Sequence, residues 1–299
     1  MNIKKSLQKV FYFPLTKIVI GLIVLLGVVS LGQWLTRTLL DNLTLEKESR
    51  NLIVGIVTAV LSILSYTTLY RFYEKRTISE LATKDIGSNL FKGIFLGALL
   101  QSLTIFVIYL YGGFSIVSIN PVSFLVPPLT MAFTSAIFEE ILVRGIIFRI
   151  LEEKLGSYIA LILSAAIFGA LHLGNPNSSV TAALGLALQA GLFLAAAFMY
   201  TRNLWFPIAI HFAWNFTQAG IFGASVSGKV ITKSLFTTKI EGADWYTGGA
   251  FGPEGSVQAT VFCLIATICL LVLIRKQGTV IKPFWKQSNR SELSGEFAQ

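Results

Sequence analysis

Residues 124–150 read FLVPPLTMAFTSAIFEEILVRGIIFRI, a run long and apolar enough to cross a bilayer that carries Glu139, Glu140 and Arg144 at its centre. A spanning helix needs about 20 predominantly apolar residues. An ionised side chain at its middle costs on the order of 2.5–3.5 kcal/mol even on insertion scales, so such residues face a protein interior and mark a site or a pathway. The prolines Pro121, Pro127 and Pro128 at the start predict a bent approach and a regular helix from about Thr130.

Working outward, further apolar runs fall at about residues 18–35, 52–70, 91–111, 158–173, 180–200, 203–222 and 257–274, giving eight candidate helices. The chain is 54% hydrophobic and 13% charged, with a mean hydropathy of +0.70. That balance excludes an ordinary soluble domain and predicts an all-α, polytopic membrane protein with about eight transmembrane helices. Of the 24 Lys and Arg residues, 18 fall on the side that holds both chain ends and 6 on the other, which predicts cytoplasmic termini. The net charge of +9 is thus a matter of sidedness, and no nucleic-acid partner is implied. The basic stretch Met1–Lys17 precedes an apolar run with no small-residue cleavage signal, so a retained first span is expected. Cys263 and Cys269 lie six apart in one apolar run and read as packing residues. The Gly-rich stretch Ser225–Gly255 reads as an irregular connector.

Titratable side chains within the runs are few. The two histidines, His172 in FGALHLG and His211 in IAIHFAWN, both lie in apolar surroundings, as do Glu139 and Glu140; the three aspartates, Asp41, Asp85 and Asp244, do not. Glu140 precedes Arg144 by four residues, the spacing that favours an ion pair along one helix face. Glu139, rotated by about 100°, is left as the free carboxylate. His211 and Asn215 share a four-residue spacing and can project to one point, and Phe168 is placed to wall His172 from lipid.

A carboxylate and imidazoles beside a wet cavity can activate water, and an imidazole with an amide can donate to a developing oxyanion. Hydrolysis of an acyl bond is the chemistry this set supports. An aspartyl mechanism lacks its aspartates, and no HExxH helix is present. Neither Ser164 nor Ser225 and Ser227 has a nucleophile's setting, and GGAFGPEG lacks the strand and helix of a phosphate cradle. Gln101 and Gln189 are lone amides and read as structural.

Three segments carry a resemblance. Glu139-Glu140-Ile-Leu-Val-Arg144-Gly, Phe168 to His172, and His211 to Asn215 resemble, in order, the three motifs of the CAAX-protease and bacteriocin-processing (CPBP, or Abi) family of intramembrane proteases, which includes the type II CAAX prenyl endopeptidase. The resemblance implies that Glu139 and His172 activate the attacking water and that His211 and Asn215 stabilise the oxyanion, with Glu140, Arg144 and Phe168 in support. Catalysis without a cofactor is the favoured reading; in the metal alternative Glu139, His172 and His211 would hold a zinc ion. The implied substrate is a membrane-associated protein or peptide, and the implied location a bacterial inner membrane. The chain then divides into N-terminal transmembrane helices of unassigned role (1–119), a core like that family's (120–222), and an external loop, last helix and cytoplasmic tail (223–299). A proton-coupled transporter and a catalytically silent immunity or scaffold protein are the alternatives.

Depth along the helices sets one further expectation. At about 1.5 Å per residue, Glu139 lies about 16 Å from Ile150 and His211 about 13 Å from the cytoplasmic start of its helix. His172 falls nearer the outer end of a helix beginning at Tyr158. The resemblance implies a cleft that opens to the cytoplasm, on the side of the termini, and the depth of His172 is at odds with it.

Overall fold

The computed structural model describes residues 9–286; Lys4, Lys5 and Arg290, which entered the charge count, lie outside this range. The chain forms α1 (Pro14–Leu40), α2 (Lys47–Tyr73), α3 (Ile86–Leu110), strand β1 (Phe114–Ile119), and a composite helix of α4 (Val126–Glu140), a π-helical stretch (Ile141–Phe148) and α5 (Arg149–Leu155). There follow α6 (Ser157–Leu171), α7 (Val180–Leu186), a π-turn (Ala187–Gly191), α8 (Leu192–Thr201) and α9 (Trp205–Phe216) with a π-helical end (Thr217–Ile221). Strand β2 (Phe236–Ile240), the single turn α10 (Asp244–Thr247) and α11 (Val257–Gln277) complete it.

The fold is an all-α polytopic membrane fold. Among the described residues, six helices are long and apolar enough to cross a membrane: Pro14–Leu40, Lys47–Tyr73, Ile86–Leu110, Ser157–Gly174, Val180–Thr201 and Val257–Gln277. The other two expected runs are the composite 126–155 and the stretch 205–221. Both are helical, but they are not among these six, so the count of eight is not established. Two local expectations are corrected. The helix begins at Val126, since Pro127 and Pro128 sit in its first turn, where an N–H has no intrahelical partner to lose. The segment after α9 is not shapeless: β2 pairs antiparallel with β1, from Phe114↔Ile240 to Ile119↔Phe236, with an irregularity between Ile116 and Ser118.

Close helix approach rests on small residues, as expected where lipid supplies no hydrophobic drive between helices. In α3, Gly93 and Gly97 form a GxxxG pair against α9. A Cβ on Gly97 would come within 2.3 Å of the Ile210 carbonyl oxygen, and one on Gly93 within 2.6 Å of the Ala209 Cβ. This contact seats α9, and with it His211 and Asn215.

The bundle end that carries residues 9–13 and 278–286 holds a polar cluster. Glu74 takes Lys17 at 2.8 Å, Arg76 at 2.8 Å and Arg149 at 2.9 Å. Glu80 pairs with Arg76 at 2.5 Å and accepts from the Tyr66 hydroxyl. Arg202 joins Glu152 to the carbonyl of Thr279, and Ser157 ties α6 to Ile281. The bend into α6 needs Gly156, whose φ is +78° and whose Cβ would meet the backbone of Pro283 at 2.7 Å. Burial raises the Glu80 pKa, but hydrogen bonds from Arg76 and Tyr66 outweigh it and hold the carboxyl below its ordinary value. Glu74 is likewise held low, with burial outweighed by Arg149, Lys17 and Arg76.

Two outcomes follow. Gly97→Leu should destabilise the protein by about 1–3 kcal/mol through overpacking, read by thermal unfolding in detergent, whereas Gly87→Leu, with open space around it, should not. Because the Glu74 and Glu80 pKa values are depressed on folding, their contribution is complete above the ordinary value of about 4.3 and is lost as pH falls through the folded values. The unfolding midpoint should therefore drop between neutral pH and about pH 3, and Arg76→Ala should reduce that drop, chiefly through Glu80.

Candidate active site

Glu139 and Glu140 end α4 at the centre of the composite helix, and the π-helical stretch starts at the next residue. π-turns often mark functional positions because they re-aim side chains. The two neighbouring carboxylates take different surroundings. Glu140 is fully buried; its Oε1 accepts from Arg144 Nη1 at 2.7 Å and from His211 Nδ1 at 3.0 Å. Arg144, also with no exposure, donates from Nη2 to the carbonyls of Ala190 (2.9 Å) and Gly191 (3.1 Å) in the second π-turn and stacks over Phe168 at 4.6 Å. Glu139 is free of this pair, as the spacing predicts, and its side chain is the most exposed of the set, 28% against 11% for His172 and 9% for His211.

Both histidines present Nε2 to that carboxylate. The His172 Nδ1 lies 2.8 Å from the carbonyl oxygen of Phe168. A carbonyl only accepts, so Nδ1 carries the hydrogen and neutral His172 keeps its lone pair on Nε2. The same reasoning applied to Glu140 puts a hydrogen on His211 Nδ1. Glu139 Oε2 then lies 3.8 Å from His172 Nε2 and 3.9 Å from His211 Nε2. These separations exceed a direct hydrogen bond. Phe168 packs against both imidazoles, with centroids 4.7 Å from His172 and 6.2 Å from His211.

Asn215 lines the same cavity one turn from His211, and its Nδ2 donates to Ser135 Oγ at 3.3 Å. Ser135 lies one turn before Glu139, so α4 and α9 face each other in matched steps. It passed unnoticed in the sequence, although its four-residue spacing from Glu139 was readable. Glu254 was missed entirely. It comes from the Gly-rich segment, accepts from the backbone N–H of Ser227, and borders a small pocket of about 30 Å³ with His211, Trp214 and Asn215. Burial pushes its pKa up to about 7. Asn175, three residues past His172, donates to the Ser227 carbonyl at 3.0 Å, and Asn177 to that of Gly228. The expected connector is therefore a cover stitched onto the site from two directions.

The site opens into a cavity of about 410 Å³ walled by apolar side chains including Leu22, Leu26, Ile167 and Leu171, with Ser227 and Lys229 also on its lining. A second cavity of about 560 Å³ meets it at Glu139 and Ser135 and runs between α1, α2 and α4 to Arg37, Glu48 and Asn51. Both cavities reach the end of the bundle that holds the α1–α2 turn and the 223–256 segment. On the side of the termini, Tyr66, Tyr70, Phe148 and the ion cluster pack between α1, α2 and the composite helix, and a separate cavity of about 560 Å³ lies beside α1 and α5, lined by Ile18, Leu151, Lys154 and Phe284.

Glu139, His172 and His211 are spaced somewhat wide for a zinc ion, whose ligands at about 2.0–2.2 Å in a tetrahedron stand about 3.4 Å apart. Among the described residues no group of three or more His, Cys, Asp or Glu is arranged to hold a metal.

Residues 121–217, about a third of the chain, match the family described as type II CAAX prenyl endopeptidase Rce1-like. The match spans all three motif segments, and the resemblance drawn from them is shown. No curated protein and no solved structure matches the chain. At the level of the family, the similarity supports an intramembrane protease of the CAAX type.

Removing one partner of a fully buried ion pair costs about 3–5 kcal/mol, whereas replacing both by apolar groups is often neutral. Glu140→Leu should accordingly lower stability in detergent far more than Glu140→Leu combined with Arg144→Leu, as measured by thermal unfolding of both.

Proposed function

We propose that this chain is an intramembrane endopeptidase that hydrolyses a peptide bond of a membrane-associated protein or peptide with a water activated by Glu139 and His172. The observation that carries this reading is the convergence of two imidazole Nε2 atoms on one unpaired carboxylate oxygen, at 3.8 and 3.9 Å, inside an apolar-walled cavity. A water held there gives one hydrogen to Glu139 Oε2 and the other to the lone pair of His172 Nε2. Its oxygen is then free to attack a carbonyl carbon. Glu139 takes the proton as the bond forms and returns it to the leaving amine nitrogen.

The oxyanion faces α9. Asn215 has amide hydrogens to offer, and His211 in its doubly protonated form donates from Nε2 while Nδ1 remains on Glu140. Glu140 and Arg144 act through His211, as positioning residues. Such preorganised donors are worth most in a water-poor site. The reading requires no metal or other cofactor. The packing around Tyr66 supports it over a proton-coupled transporter, which needs a path on to the other side.

Charge bias supports cytoplasmic termini, and the composition supports a lipid bilayer as the surroundings of the bundle. Peptides with and without a prenyl group are the substrates to compare.

The test is cleavage by purified protein in detergent of prenylated and unprenylated peptides, with a strong chelator as a second variable. Wild type should cut whether or not chelator is present. Glu139→Ala should lose about 10²–10⁴-fold in rate, the usual contribution of a positioned general base. Retained activity in that variant removes the assignment of Glu139, and chelator inhibition reversed by zinc removes the metal-free mechanism.

A further inference from the structure

The cavity of about 560 Å³ beside the start of α1 takes no part in the chemistry at Glu139. Leu15 and Ile18 of α1 and Leu151 of α5 line it, together with Phe284 from the segment after α11, so its walls are mainly apolar. Only two charged side chains line it, Lys9 and Lys154, and both are exposed. Among the described residues neither ammonium pairs with a carboxylate. The carboxylates nearest in the chain are committed elsewhere. Glu152 holds Arg202, and Glu153 is shared between Arg149 and Lys17.

Two like charges without a counter-ion at an apolar cavity are complementary to a ligand that is anionic at one end and apolar along the rest. The position of the cavity narrows the choice. Phe11, Tyr12, Phe13, Phe284 and Trp285 are all exposed at this end of the bundle. Aromatic side chains in such a belt sit at the level of the lipid headgroups. α1 is an apolar helix long enough to span a bilayer, and it begins at Pro14, within this belt. Basic pockets between transmembrane helices at this level take acidic headgroups, and the volume is within the range of about 300–1,000 Å³ usual for a bound small molecule.

We propose that this cavity binds an anionic phospholipid of the surrounding bilayer, its phosphate held by Lys9 and Lys154 and one acyl chain laid along Leu15, Ile18 and Leu151. The lipid would bridge α1 and the far end of the composite helix that carries Glu139, and a ligand that binds only the assembled bundle stabilises it. The proposal stands on the cavity and its two ammonium groups and is independent of the endopeptidase reading.

Native mass spectrometry of the full chain tests it without needing activity. The protein is stripped of lipid in detergent and then given phosphatidylglycerol, phosphatidylcholine or glycerol phosphate, the last supplying the anion without the chains. Phosphatidylglycerol should be retained and the other two should not. At about 5-fold for one basic group near a membrane surface, Lys9→Gln with Lys154→Gln should weaken phosphatidylglycerol about 30-fold. The same lipid should raise the thermal unfolding midpoint of wild type and leave that of the double variant unmoved. Lys75→Gln with Lys276→Gln, two exposed lysines at the same end but outside the cavity, should retain the lipid as wild type does. Equal retention of the two phospholipids, or an equal loss in this control pair, overturns the proposal. Retention of glycerol phosphate as tight as that of phosphatidylglycerol reduces the site to one for a free anion and overturns it too. Dimers that carry no lipid would give the cavity to a second copy of the chain, again against the proposal.

Discussion

The fold is organised around a guanidinium with no exposure. Arg144 lies at the centre of an apolar bundle, where a charge left unpaired would cost several kcal/mol. Its two terminal nitrogens find three acceptors, a carboxylate on the same helix and two carbonyls that the π-turn at Ala187–Gly191 makes available, while its Nε–H meets none; the flat face rests on Phe168. These partners belong to α4, the 187–191 turn and α6, so pairing one side chain links three elements. Glu140, committed to Arg144, has the remaining reach to hold His211, and α9 is fixed as well. Geometry at Glu139 is then what is left when every neighbouring charge already has a partner.

Much of this was legible in the chain. The spacing of Glu140 and Arg144 separates the paired carboxylate from the free one, and the structure shows that division. The four-residue steps from Phe168 to His172 and from His211 to Asn215 place these groups together because helical period is local and independent of what the helix packs against. Other features depend on long-range packing. Ser135 becomes meaningful only once α9 is known to lie opposite α4. Gly93 and Gly97 are a readable GxxxG pair, yet many such pairs occur in apolar runs, and only the approach of the Ile210 carbonyl gives this one a role.

The segment after α9 shows the limit most clearly. Its glycines predict irregular backbone, and backbone at Gly248, Gly249 and Gly252 does take positive φ. Nothing local says that Glu254 will be drawn into the bundle beside His211, or that β2 will pair with a strand more than a hundred residues earlier. Helix depth places Glu139 and His211 near mid-span, which is neutral between the two faces; the course of the cavities depends on how α1 packs against α2 and the composite helix, which no local pattern gives.

The course of the cavities also has an electrical meaning. A membrane potential falls across the part of a protein that excludes water, at about 2.3 kcal/mol per elementary charge for each 100 mV. Where the cavities beside Glu139 hold water the field is shallow, and the voltage drop is concentrated across the packed tyrosine and ion-cluster region, so a proton exchanged between Glu139 and that water crosses little of the membrane potential.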